Sequence, residues 1–201
     1  MKEIDYKREF GELYRQDETV SLVDVPPIDY LMIDGRGDPN TSPEFAAAIE
    51  TLYPFCYAIR SQVMESEDLK FVVMPLEGLW WADDVDAFDA GEKADWEWTL
   101  MIVQPDVVTE AIVDRAREDV ESKNLPALSK VRYETYDEGM AAQTLHVGPF
   151  SEEGPTVERV HEFIAENGYA PRGHHHEIYL SDMRRTDRER LRTIIRQPVT
   201  E

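Results

Sequence analysis

Glu177 and Tyr179 stand two residues apart in the run His175-His176-Glu177-Ile178-Tyr179-Leu180. Read as a strand, this run sets Glu177 and Tyr179 on one face and Ile178 and Leu180 on the other. A carboxylate among apolar and aromatic neighbours has two chemical uses. It can pair with a cationic ligand, or burial can raise its pKa until it works as a general acid or base near neutrality. The plainer alternative is a salt bridge to Arg132, Arg172 or an arginine of the tail, and spacing alone leaves both open. Four tryptophans, Trp80, Trp81, Trp96 and Trp98, form a second cluster. A flat ligand needs flat apolar walls, and indole offers the best cation–π face. The expectation is that Trp81 and Trp98 reach a ligand and the other two pack in the core. Tyr57, on the helix beyond Pro54, is a further aromatic candidate.

His174, His175 and His176 suggest a metal site, but only His174 and His176 would share a face, and no cysteine completes a set. No metal and no cofactor is expected. His146, just before Gly148-Pro149, reads as a turn-stabilising side chain. Cys56, the single cysteine, reads as a small buried hydrophobe. No serine elbow, phosphate-binding loop or dinucleotide fingerprint is present.

These residues need elements to position them. The chain of 201 residues carries 42 acidic and 21 basic side chains, a formal charge of -21. Phosphate backbones are bound through Lys and Arg, so nucleic acid and anionic membranes are excluded as expected partners and a cationic ligand is favoured. The acidic N-terminus lacks a signal-peptide pattern, and a cytoplasmic protein is expected. Hydrophobic periodicity predicts strands at 28–33, 70–75, 96–103, 131–136, 141–147 and 175–181. It predicts helices over about 43–65, 109–123 and 155–166, with a final helix over 189–196. Ser42-Pro43 and Thr109 read as helix starts. Residues 1–19, with Tyr6, Phe10 and Tyr14 at spacing four, read as an N-terminal arm in which one face of a short helix packs down, and the segment 83–95 as an acidic loop.

Strand, glycine turn, long helix and further strands occur twice. Asp34-Gly35 through Pro39 to Ser42 opens the first helix, and Val147-Gly148-Pro149 through Ser151 opens the second. The reading is one α+β domain of two βαββ repeats. Repeat 1 spans 20–105, a bridging helix 106–130, and repeat 2 with the C-terminal helix 131–201.

Four blocks carry a resemblance. They are Ile33-Asp34-Gly35-Arg36-Gly37-Asp38-Pro39-Asn40 after the Pro26-Pro27 pair, Pro75-Leu76-Glu77-Gly78-Leu79-Trp80-Trp81, His175 to Asp182, and Arg196-Gln197-Pro198-Val199. Together they make the chain similar to the GyrI-like small-molecule-binding proteins, in the stand-alone branch without a DNA-binding module. The resemblance implies tandem pseudo-symmetric βαββ repeats with an aromatic ligand cleft between them and one buried Glu, for which the matching position is Glu177. In such a cleft the Glu177 pKa is expected to rise above that of a free side chain.

Two functions compete. One is sequestration or sensing of hydrophobic, planar, often cationic small molecules. The other, known for some stand-alone members, is hydrolysis of cyclopropane-bearing DNA-alkylating compounds. In that case Glu177 activates water and Tyr179 or Tyr57 donates a hydrogen bond to the ligand's carbonyl. A third class, an interaction subunit of a regulator, would need a protein partner.

Overall fold

The computed structural model describes residues 2–82 and 93–201. Most of the segment read as an acidic loop, 83–92, lies outside the described residues; Lys93–Asp95 form a short 3-10 turn. The chain divides into two compact units. The first contains residues 2–6, 28–74 and 80–136, and the second 7–27, 75–79 and 137–201.

In the first unit, β3 (Ile28–Arg36) pairs antiparallel with β6 (Glu97–Gln104) and with β7 (Arg132–Tyr136). The end of β5 (Glu77–Trp81) lies on the other side of β6. α3 (Pro43–Glu67) packs on β3 and β6. It starts where Ser42 Oγ accepts from the Phe45 N–H and Pro43 enters the first turn. Its buried stripe, Phe45, Leu52, Phe55, Cys56, Ile59 and Val63, recurs at helical spacing. It ends at Asp68, whose φ is 49°. α4 (Glu110–Glu121), capped by Thr109, turns Ile112, Val113, Ala116 and Val120 inward. It packs on α3 within the first unit.

In the second unit, β2 (Ser21–Val25) pairs with β8 (Gly139–Val147), β8 with β11 (Arg192–Thr200), and β11 with β10 (His175–Tyr179), all antiparallel. The Glu77–Leu79 part of β5 follows β10. α5 (Gly154–Glu166) covers β8 and β11. Its Val160 and Ile164 close a core with Ala142, Ile195 and Val199. Gly168, at φ 79°, takes the left-handed conformation that ends this helix.

The fold class is α+β, and the two repeats share a βαββ order. In each, the first strand pairs with the third (β3 with β6, β8 with β11), and the helix lies on both. β2, read within repeat 1, pairs with β8 of repeat 2, and β7, read within repeat 2, pairs with β3 of repeat 1. Repeat boundaries in sequence therefore differ from unit boundaries in space.

Two expectations are corrected. Residues 189–196 do not form a helix. Arg188–Arg190 make a short 3-10 turn, and β11 follows. Thr193, Ile194 and Ile195 are β-branched and sit between two neighbouring strands, where branched side chains fit a pleated surface. The N-terminal arm is not one helix. β1 (Lys2–Ile4) pairs in parallel with β4 (Leu69–Phe71), α1 (Tyr6–Glu9) follows, and α2 (Gly11–Tyr14) joins the second unit with Leu13 and Tyr14 buried. Among the described residues no helix is long and apolar enough to cross a membrane.

Gly35 explains how Trp98 fits. The two residues face each other across β3 and β6. A Cβ on Gly35 would fall 2.1 Å from Trp98 Cη2 and 2.3 Å from Cζ2. Gly35→Ala is therefore expected to cost about 1–3 kcal/mol, the penalty for an overpacked core. In a Trp98→Leu background the same change should cost less, because the clashing ring is gone. Urea melts of the four proteins check this, and equal penalties in both backgrounds would refute it.

Candidate functional site

Strand alternation in β10 places His175, Glu177 and Tyr179 on one face. His175 Nε2 lies 2.9 Å from Glu177 Oε1, and the Tyr179 hydroxyl donates to Glu177 Oε2 at 2.8 Å. Glu153, buried at the start of α5, is near enough to act on the Glu177 carboxyl. Phe150, 37% exposed, stands edge-on to the Tyr179 ring at 5.7 Å between centroids. The Glu177 side chain is 14% exposed.

The expected rise in the Glu177 pKa does not occur. Burial pushes it up, but the hydrogen bond and charge of His175, the hydrogen bond from Tyr179 and the nearby Glu153 outweigh burial. The carboxyl is held below the usual range. Desolvation alone would raise it, but His175 and Tyr179, two residues away on either side, both reach the carboxyl. The suggested arginine partners are engaged elsewhere. Arg132 pairs with Asp34 and Glu134, and Arg172 donates to the carbonyls of Glu138 and Val199. Arg196 pairs with Glu138.

The opposite face of β10 holds a buried ionic group that sequence reasoning missed. His176 lies between two carboxylates, with Nε2 2.9 Å from Glu77 Oε2 and Nδ1 2.7 Å from Glu138 Oε1. Arg196 donates from Nη1 to Glu138 Oε2 at 3.0 Å, from Nε to Gln143 Oε1 at 2.9 Å and from Nη2 to the Leu13 carbonyl at 3.0 Å. The Tyr14 hydroxyl donates to Glu77 at 3.2 Å. Glu77, Glu138 and His176 are fully buried, and Arg196 nearly so. With both ring nitrogens facing carboxylates, His176 is a cation. Burial pulls its pKa down, but Glu138 above all pushes it up, to about 9. Burial raises the Glu138 pKa, but His176 and then Arg196 bring it down to about 2. Two anions and two cations balance, so the group can exist in a dry interior. It anchors the back of β10, whose front carries Glu177.

The tryptophans belong to the first unit. Trp98 is fully buried and takes Phe45 edge-on at 5.2 Å, so it presents no surface to a ligand in this structure. Trp80 is buried against Phe45 and Trp96, each at 5.8 Å. Trp81 is half-buried, and its Nε1 donates to Glu97 Oε2 at 2.6 Å. Tyr57 is 56% exposed on α3. Cys56 is buried and its thiol is pushed up to about 12 by burial. His146 contacts Thr156 Oγ1 and the Pro149 carbonyl, a turn-holding role as the sequence suggested. Among the described residues no group of three or more His, Cys, Asp or Glu could hold a metal ion.

The GyrI-like small-molecule-binding domain model matches residues 18–200, nearly the whole chain. The chain belongs to the GyrI-like family. A Listeria innocua protein described as uncharacterized and conserved shares 37% identity with this GyrI-like chain, at a TM-score of 0.91, over 98% of this chain and 100% of the other. A second Listeria innocua protein, described as a hydrolase, shares 35% identity at a TM-score of 0.86, again over 98% and 100%. The C-terminal domain of EcmrR matches at 13% identity and a TM-score of 0.56, over 91% of this chain and 98% of that domain, which shows the shared fold alone. No curated protein matches the chain.

Proposed function

We propose that this GyrI-like domain binds hydrophobic, planar, often cationic small molecules, with Glu177 as the anionic partner in an aromatic setting. The observation that carries this reading is the Glu177 carboxylate. It is largely buried, held on both oxygens by His175 and Tyr179, and lies beside Tyr179, which the exposed Phe150 ring meets edge-on. Such a carboxylate stays charged at neutral pH and attracts a cation that sheds its own water. The overall negative charge favours arrival of that cation. Trp81 and Tyr57 carry a lesser proposal, as accessible aromatic faces for a flat ligand.

A second reading is supported by the hydrolase described among the 35% identical relatives. It is the opening of cyclopropane-bearing DNA-alkylating compounds, with Glu177 activating water and Tyr179 assisting. A general base works best with a pKa near the operating pH. The Glu177 carboxyl is held below its usual range, which favours binding over base catalysis.

Titration with ethidium, a planar cation, and with a neutral phenanthridine of similar size tests the binding reading. The cation is expected to bind more tightly and to quench tryptophan emission. Equal affinity for both compounds would refute the role of charge. Chromatography of a cyclopropyl-dienone compound incubated with the protein separates the two readings, since unchanged ligand after binding supports the first.

A further inference from the structure

A cavity of about 210 Å³ lies wholly within the first unit, at the start of α3, and contains none of the residues that hold Glu177. Its apolar lining comes from Ile33 of β3, Ala47 of α3, and Pro126 and Ala127 of the segment after α4. That segment is fixed. The Ala127 N–H donates to Thr51 Oγ1 at 3.0 Å, and Arg117 donates to the carbonyls of Leu128 and Val131 at 2.8 and 2.9 Å. Pro43, which also lines the hollow, is held in the first turn of α3. The hollow is therefore built into the fold, and binding does not have to open it. Its exposed edge carries charge. Glu44 and Lys130 line it as an ion pair 3.5 Å apart, both side chains about half exposed. Such a pair holds weakly and opens at little cost. Asp34 lines the cavity too, but Thr99 and Arg132 donate to its two oxygens, each at 2.6 Å. The charges presented to a ligand are thus one anion and one cation, side by side at the edge of an apolar hollow.

We infer that this cavity binds a free α-amino acid with a branched apolar side chain of leucine size. The alkyl group fills the hollow, the ammonium pairs with Glu44 and the carboxylate pairs with Lys130. Charge balance selects the zwitterion. A ligand with a single charge takes one member of the ion pair and leaves the other without its partner, whereas a zwitterion replaces both sides at once. The volume selects the side chain. At about 210 Å³ the hollow is smaller than the roughly 300–1,000 Å³ of pockets that take drug-sized ligands. The side chains of Ile33, Ala47 and Ala127 offer no polar group, so a few branched carbons fit where a flat polycyclic cation does not. The site therefore differs from the one proposed around Glu177 both in its residues and in its ligand.

The test is a proton–nitrogen correlation NMR titration of the full chain with L-leucine, up to about 10 mM. The amide signals of Ala47 and Ala127 are expected to shift and saturate. Leucine is expected to bind at least about tenfold more tightly than isopentylamine, which lacks the carboxylate, than isocaproate, which lacks the ammonium, and than glycine, which lacks the alkyl group. Lys130→Gln, a change at an exposed side chain, should weaken leucine by about tenfold and leave isopentylamine within about twofold. Ala47→Leu fills the hollow with a good helix former and should abolish leucine binding. Glu177→Gln should leave leucine binding unchanged. No shift of the wild-type signals with leucine overturns the inference, and so does an isocaproate affinity equal to that of leucine. Leucine binding that survives Ala47→Leu, or that is lost in Glu177→Gln, also overturns it, by placing the amino acid elsewhere.

Discussion

Glu138→Gln is expected to lower the stability of the protein by about 3–5 kcal/mol, the cost of removing one partner from a buried ionic group. The reason lies in what is left behind. Glu138 receives His176 on one oxygen and Arg196 on the other, all three out of contact with solvent. A glutamine of the same shape cannot neutralise either cation, and Glu77 alone cannot balance both. Arg36–Asp95 provides the contrast, because its side chains are 60% and 59% exposed. Arg36→Ala should cost no more than about 1 kcal/mol. Urea denaturation of the two variants beside the wild type reads the difference. A Glu138→Gln penalty as small as that of Arg36→Ala would mean that the buried group contributes little.

The same group sets the pH dependence of stability, with two limbs of opposite sign. Glu138 is depressed from 4.5 to about 2, so its contribution is complete above the unfolded value and is lost as pH falls towards 2. His176 is raised from 6.5 to about 9, so its contribution is complete below 6.5 and is lost as pH rises through about 9. The urea midpoint should therefore be highest between about pH 4.5 and 6.5 and decline on both sides. A midpoint that stays level from pH 6.5 to 9 would show that His176 is not held as a cation.

How far the sequence reveals this molecule depends on the range of the interactions involved. Ser42-Pro43 and Thr109 mark helix starts through contacts three residues long, and α3, α4 and α5 follow from apolar residues repeating at helical spacing. The alternation of β10 is equally local, so Glu177 and Tyr179 on one face could be read directly. His176, Glu138, Arg196 and Glu77 could not be joined this way. His176 is 38 residues from Glu138 and 99 from Glu77, and the pairing of β8, β11, β10 and β5 brings them together. One local sign existed: a charged residue in a run as apolar as Thr193-Ile194-Ile195-Arg196 must find a buried partner. Reading that run as a helix hid it. Phe150 and Glu153 escaped for a different reason. They lie in the turn before α5, where exposure and polarity are normal and nothing local says which strand they will meet. Trp98 shows the converse case. Indole chemistry suited a ligand wall, but Gly35 opens a slot that takes the ring into the core.

Glu177→Gln is expected to weaken ethidium binding by roughly ten- to a hundredfold at pH 7, the worth of about 1.5–3 kcal/mol for a hydrogen-bonded charged group. Glutamine keeps the volume of the side chain, and its amide can still exchange hydrogen bonds with His175 and Tyr179, so the strand should hold its place. What it loses is the anion. A neutral phenanthridine of the same size never used that charge, and its affinity should change less than about twofold. The selectivity between the two ligands is therefore the decisive quantity, because a general disturbance of the pocket would weaken both together. If the domain is a hydrolase, the same variant removes the group that activates water. Turnover of a cyclopropyl-dienone compound should then fall to background while the neutral substrate still binds. Because His175, Tyr179 and Glu153 hold Glu177 below the usual carboxylate range, the wild-type protein should still prefer the cation at pH 5, where a carboxyl with a raised pKa would have lost its charge. Ethidium affinity unchanged in Glu177→Gln, with turnover either absent from both proteins or equal in them, would reduce Glu177 to a residue that only ties His175 to Tyr179 along the face of β10.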